Sequence, residues 1–410
     1  MAPRKKHSKS DSKQTRFVED DHRQHPIHQK SNPAPQETRV TQPRALNISG
    51  DTRQSTISPG SPPGLAVNVA PTLVNCALNY VNFLIFKSPV RLFEFCDLEI
   101  MPGFLRRCCQ AMLAEQWKHQ LPIIQTKSPA VLAATILESA LDKMTSTGNN
   151  SKLTVIDFCA GGGGPTPILE RTINAARAPA GKIPLEFLMS DLYPHIDAWM
   201  ASSSSSDHLS FIPQPVDATS PPIAALSTES TEVHSKNGPR SDTRVFRLFC
   251  LAFHHFNNDM AKQVLDSTMK TSDGFAILEL QDRRIGCLML MLCNFFLTLL
   301  VTVFWFKFWH EPLQILFTYV CPILPVVLTW DGIVSCLRTR EFEEVMRLVQ
   351  ENTGPLVITT EVQDDGVHIK RCNTAEWVFE GGRRRHTFPF GYLNWVTGRK
   401  VSSKDSGSNR

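Results

Sequence analysis

Leu153-Thr-Val-Ile-Asp157-Phe-Cys159-Ala-Gly161-Gly162-Gly163-Gly164-Pro165 is the stretch on which the fold turns. Leu153, Val155, Ile156 and Phe158 form a short apolar run, as in a parallel strand covered on both faces. The glycines that follow let the backbone take positive φ and approach a ligand with no Cβ in the way. Pro165 suits the first turn of a helix, where its missing N–H leaves nothing unpaired. A strand, a glycine loop and a helix in this order predict a nucleotide-type cofactor site in a doubly wound α/β sheet.

Asp157 narrows the choice of cofactor. In a dinucleotide site the loop amides face a pyrophosphate, and the acid that grips the ribose lies about 20 residues farther on. A carboxylate at the strand end would repel that pyrophosphate. It would suit the ammonium group of S-adenosylmethionine (SAM), which carries no phosphate. A second strand, Leu185 to Ser190, ends in Asp191, placed for the ribose hydroxyls. A third, Phe211 to Ala218, carries Asp217 at its end, within reach of the adenine amino group. The expected cofactor contacts are Asp157, Cys159, Gly161, Gly163, Asp191 and Asp217. An NAD-dependent oxidoreductase is disfavoured by Asp157.

These residues resemble class I SAM-dependent methyltransferases. The likeness is greatest to a family with the loop D-x-C-x-G-G-G-G-P and a hydrophobic C-terminal insert. Further pieces of it are Leu92-Phe-Glu-Phe-Cys-Asp97, Ser190-Asp191-Leu-Tyr-Pro194, Phe253-His254-His255-Phe256 and Thr329-Trp330-Asp331-Gly332-Ile-Val-Ser335-Cys-Leu-Arg338. The resemblance spans residues 90 to 400 with gaps. It implies a Rossmann-like sheet and SAM, and it brings no substrate with it.

The remaining sequence divides the 410 residues. Residues 1–65 are polar and basic with almost no aromatics, the composition of a disordered tail. Residues 66–150 are expected to be a helical extension, with one helix over Phe104 to Gln120. The SAM-binding core covers 151–285, interrupted by a low-complexity insertion at 219–244. A hydrophobic membrane hairpin or cap follows at 286–330. A C-terminal helix and edge strands occupy 331–400, with strands at Pro355–Val362, Ala375–Glu380 and Phe390–Val396, and 401–410 is a tail. The net charge of +4 and the lack of a basic-aromatic patch argue against nucleic acid. Eleven scattered cysteines with no zinc spacing fit an intracellular protein, and no metal is expected. The first residues are polar where a signal peptide needs an apolar core. Cys159 has no basic neighbour to activate it and serves the turn as a small residue.

A fourth strand, Val245 to Phe253, ends in His254 and His255, the candidate catalytic pair. One imidazole would act as general base beside the methyl group, the other would bind the loop or brace the turn. After a fifth strand, Phe275 to Leu280, come Glu279, Asp282, Arg283 and Arg284 as further substrate contacts or simple positive flanks.

Gly286 to Phe306 then runs without a charge, and Pro312 to Trp330 does so again after a short polar break. About 20 apolar residues suffice to cross a bilayer as a helix. Arginines flank both outer ends, which places them on the cytoplasmic side of an intracellular membrane. Pro312, Pro322 and Pro325 open the alternative of an interfacial or capping segment. Asn294, Thr298 and Thr302 form one polar stripe, to pack on the second segment or line a path to the site. Asp331, where the chain re-emerges, either orients substrate or caps a turn. The expected function is a membrane-associated SAM-dependent methyltransferase for a small, lipophilic acceptor. The alternative is an inactive methyltransferase-like membrane scaffold.

Overall fold

A computed structural model describes residues 83–145, 152–221, 244–353, 356–363 and 367–401. The tail 1–65, most of the insertion 219–244 and all but the first residue of 401–410 lie outside the described residues. Five strands run parallel: β1 (Leu153–Phe158), β2 (Glu186–Ser190), β3 (Leu209–Phe211), β4 (Arg244–Cys250) and β5 (Gly274–Glu279). Four antiparallel strands follow: β6 (Ile358–Val362), β7 (His368–Asn373), β8 (Trp377–Thr387) and β9 (Gly391–Lys400). All belong to one sheet of order β3-β2-β1-β4-β5-β9-β8-β7-β6. The chain reverses direction across the sheet between β1 and β4. In such sheets ligands bind at that point, beyond the carboxyl ends of the strands.

Burial explains why these strands form. All six residues of β1 and of β5 are buried, because helices cover both faces. On one side α2 (Pro129–Thr145) and α3 (Thr166–Arg177) pack through Ala133, Leu137, Leu169 and Ile173. On the other, α5 (Asn258–Thr271) and α8 (Phe342–Thr353) pack through Val264, Leu265, Val345 and Met346.

Three elements differ from the sequence reading. β3 is confined to Leu209–Phe211, because Pro213 and Pro215 have no N–H for a ladder; Asp217 lies in the loop beyond it. The helix α4 (Ile196–Ser203) buries Trp199 and runs into the serine-rich stretch expected to be a surface insertion. β7 is an extra edge strand whose polar sequence buries only Ile369 and Cys372.

After β5 the apolar insert begins with α6 (Ile285–Trp305). A short α turn at Pro312–Ile315 passes into a π turn at Leu316–Val320. The chain then bends by 83° into α7 (Ile323–Arg338). The expected second straight segment is therefore broken at Cys321-Pro322, as a proline break would do. Among the described residues α6 is the one unbroken helix long and apolar enough to cross a membrane, and 28% of its most apolar stretch is buried.

The helix α1 (Gly103–Lys118) lies along the insert. Leu105, Cys108 and Cys109 pack on Leu324 and Val327, and Met112 packs on Val301 and Phe306. Gln116 Nε2 donates to Asn294 Oδ1 at 2.9 Å, and the His119 ring stacks on Trp305 at 4.9 Å. Thr298 and Thr302 are fully buried, so the polar stripe faces protein. The opposite face of α6 presents Met289, Leu292, Phe296, Leu300 and Val303, all exposed.

Candidate active site

β1 delivers Asp157 to the carboxyl end of the sheet, where the side chain is buried. Its Oδ2 accepts from Thr166 Oγ, in the first turn of α3, while Oδ1 is buried with no partner. Burial, opposed by the Thr166 bond and helped by Asp191, pushes this carboxyl up to about 8. Backbone φ is +63° at Cys159, +55° at Gly161, +104° at Gly163 and +49° at Gly164. At Gly161 and Gly162 a Cβ would meet Gln110 of α1 at 3.4 and 3.5 Å. The loop therefore lies under α1, with glycine where both the turn and the close approach require it.

Asp191, at the end of β2, accepts from Gly161 N through Oδ2 and from Tyr193 N through Oδ1, both at 2.8 Å. It thus faces the glycine loop and holds it. Trp199 of α4 braces the same loop by donating Nε1 to Gly161 O at 2.9 Å. Asp217 is exposed and folds its own turn, accepting from Thr219 N at 2.8 Å. The three acids converge all the same: the Cys159 thiol is pushed up by burial, then by Asp191, Asp157 and Asp217 in turn. Its environment makes it an inert thiol.

β4 delivers the histidine pair. Leu251 at its end sits at φ +50°, a strained conformation for a bulky residue, as functional turns often show. A 3-10 turn, Phe253–His255, then aims the two rings. Glu279, the last residue of β5, clasps His254. Its Oε2 accepts from Nδ1 at 2.8 Å and its Oε1 from the backbone N–H at 3.2 Å. That clasp places the proton on Nδ1 and leaves Nε2 as the basic nitrogen.

The other half of the cluster comes from the segment before α1. Glu94, 3% exposed, holds Oε1 3.8 Å from His254 Nε2 and Oε2 3.7 Å from His255 Nδ1. Asp97 Oδ1 accepts from His255 Nδ1 at 2.9 Å. Arg338 Nη1 bridges Glu94 Oε1 and Asp97 Oδ2 at 3.0 and 2.7 Å. Burial lowers the His255 pKa, but Glu94 and Asp97 outweigh it and hold the imidazolium up to about 9. Burial likewise opposes ionisation of Asp97, yet His255 and Arg338 keep its carboxyl below the usual range. His255 is thus a cation at neutral pH, and the free base nitrogen belongs to His254. Glu94, His254 and His255 present ligand-type atoms within 4.8 Å of one another. Arg338 already answers the two carboxylates there, and the cluster is built as a proton-sharing network.

The end of α7 assembles this network. Asp331 accepts from the backbone N–H of Phe95 and of Cys96 at 2.7 and 3.0 Å. Trp330 Nε1 donates to Phe93 O at 3.0 Å, and Ser335 Oγ to Glu94 Oε1 at 3.2 Å. Asp331 therefore caps the turn around Glu94 from across the fold. Asp282 and Arg283 prove to be internal: Asp282 pairs with Arg284, and Arg283 with Glu344 at 2.9 Å. Glu94, Asp97 and Arg338 are the functional residues that residue-level reading missed. The one signal for them was membership in quoted segments of the family resemblance.

No protein-family model matches the chain, and no curated protein matches it. Among solved structures, the DszA carbon methyltransferase is 11% identical, over 66% of this chain and 53% of its own, with a TM-score of 0.35. The chain spans about half the length of that protein. The plantazolicin methyltransferase BpumL in complex with SAH is 10% identical over 73% and 98% of the two chains, at 0.31. Magnesium protoporphyrin IX methyltransferase from Synechocystis PCC 6803 with bound SAM is 8% identical over 74% and 100%, at 0.32. Scores this low leave family, cofactor and substrate to be argued from the site itself.

Proposed function

We propose that this chain is a SAM-dependent methyltransferase of the class I type that works at a membrane surface on a small, lipophilic acceptor. One observation carries the reading: an orphaned, buried Asp157 oxygen beside the glycine loop, one strand over from the His254–Glu279 clasp. Asp157 Oδ1 fits an ammonium group, which would supply the missing hydrogen-bond donor. Cys159, Gly161 and Gly163 would offer the loop backbone, Asp191 its remaining acceptor capacity, and Asp217 would stand at the rim. SAM, when bound, supplies an electrophilic methyl group.

The chain's own residues would position the acceptor and take its proton. Glu94, Asp97 and Glu279, counted as ionised, face Arg338 and a cationic His255. Three negative charges against two positive leave one, so the network has room for one proton. His254 Nε2, facing Glu94, is its natural seat. His255 and Asp97 form the exposed edge, where an acceptor O–H or N–H would dock.

The insert supports docking in the membrane plane. Phe304, Val320 and Trp309 are 77%, 75% and 87% exposed at its outer end, a patch that marks an interaction surface. Crossing the bilayer would draw α1 with it. Glu115, Lys118 and His119 lie at the end of α1 beside Trp305, and such charges are excluded from hydrocarbon. An in-plane insert keeps them at the headgroups. The catalytic unit would then rest on the cytoplasmic face of an intracellular membrane.

The test is transfer of a labelled methyl group from SAM to a membrane lipid extract. Label is expected in an organic-soluble product, with Glu279→Gln slowing transfer about a hundredfold. No labelled product, or an unchanged rate in Glu279→Gln, would remove the reading.

A further inference from the structure

Behind the His254–Glu279 clasp, on the α8 side of the sheet, lies a cavity of about 280 Å³. Its walls come from β5, β8, β9 and α8, and four of its side chains are cationic: Arg284, Arg340, Lys370 and Arg383. Two of the four are neutralised locally. Lys370 pairs with Glu343 at 2.6 Å, and Arg284 with Asp282 at 2.5 Å and Glu341 at 3.2 Å. Arg340 is buried and finds only neutral acceptors: Phe253 O at 3.2 Å, Phe256 O at 2.8 Å and Asn258 Oδ1 at 3.0 Å. Arg383 lies over the Tyr392 ring at 5.1 Å, and its Nη1 is buried with no partner.

We propose that this cavity binds a phosphate group. Two guanidinium groups with no carboxylate partner among the described residues share one small space. Leaving such charge uncompensated is unfavourable by several kcal/mol, and an anion relieves it. Guanidinium forks match the oxygens of a phosphate two at a time. The near-double negative charge of a phosphate monoester at neutral pH matches two open cations better than a carboxylate does. Burial and the neighbouring Arg91 pull Arg340 down to about 10, and burial and Arg284 lower Arg383; both stay charged at neutral pH. The volume admits a phosphate with a short attached group, being at the small end of ligand pockets. The site is distinct from the glycine loop and shares only the wall at Phe253 and Glu279 with the proton network.

The phosphate could belong to a lipid headgroup or to a free solute, and the experiment separates them. Full-length protein in detergent is titrated with inorganic phosphate by calorimetry, at constant ionic strength. Arg383→Gln and Arg384→Gln are run alongside; Arg384, the next residue, does not line the cavity. Expected is millimolar or tighter binding, weakened at least about tenfold in Arg383→Gln and unchanged in Arg384→Gln. Vesicles of phosphatidylcholine with and without phosphatidic acid form the second arm. Extra retention by phosphatidic acid, lost in Arg383→Gln, assigns the lipid source; phosphate binding without that preference assigns the solute. Absence of phosphate binding, or equal weakening in both variants, overturns the proposal.

Discussion

Asp157 joins a buried carboxyl to an unpartnered oxygen, and its protonation sets the sign of a mutational prediction. With a folded-state pKa of about 8 against 3.8 unfolded, folding favours the neutral form. That contribution is full below pH 4 and is lost as pH rises towards 8. Asp157→Asn removes the titration. At pH 8 it should stabilise the ligand-free protein by on the order of 1–3 kcal/mol while abolishing SAM binding. Melting curves at pH 6 and pH 8 check it, and a lower Tm at pH 8 would refute the account of this site. His255 has the opposite partner. Its pKa is raised from 6.5 to about 9 by Glu94 and Asp97 against burial, so its stabilisation is complete below pH 6.5 and disappears as pH passes 9. His255→Gln should therefore cost most stability near pH 6 and little by pH 10. A pH-independent difference would show that the ring acts only by packing. Asp157 and Asp191 were legible because a strand end and a glycine loop fix their place within a few residues. Asp217 was read too confidently as a strand end, since two prolines had already ended the ladder.

α7 works as a clamp between distant parts of the chain. Asp331, Ser335 and Arg338 lie on one helix, at intervals of about one turn, and all three hold the Leu92–Asp97 segment. Arg338→Met would leave Glu94 buried beside His254 without its cation. A loss of about 3–5 kcal/mol is expected, together with release of Asp97 from its low pKa, visible in the carboxyl titration followed by NMR. A change under 1 kcal/mol would mean that the clamp does not hold the network. Sequence reasoning found each of these segments and could not join them. Arg338 and Glu94 are separated by 244 positions, and no local periodicity reports a contact of that range. Zinc-type spacing failed as a guide for the same reason, because Glu94 and the histidine pair meet only through the sheet.

At the scale of the molecule, the doubly wound half was legible from its apolar strands, glycine loop and following helix. The antiparallel half was less so: β7 is polar and mostly exposed along the sheet's edge, where alternation carries little signal. The insert was legible in composition but not in pose. Composition cannot tell that α1 covers the Thr298–Thr302 face and leaves Phe296 and Leu300 outward. If that outward face docks on membranes, Phe296→Glu with Leu300→Glu should abolish flotation with vesicles while moving Tm by no more than about 2 °C, as exposed positions allow. Flotation equal to wild type would assign the face to another partner.

The central claim is that Asp157 receives the ammonium group of SAM, and proton release on binding tests it most directly. A carboxyl with a pKa of about 8 is mostly protonated at pH 7 and must ionise beside a cation. Calorimetric titration of the full-length protein in buffers of different ionisation enthalpy should give micromolar binding with release of about one proton. Both the binding and the proton should vanish in Asp157→Asn, and binding should weaken in Asp191→Ala. Binding with no proton released would contradict the role assigned to Asp157. No binding by the folded protein would contradict the enzyme reading and leave a membrane scaffold in its place.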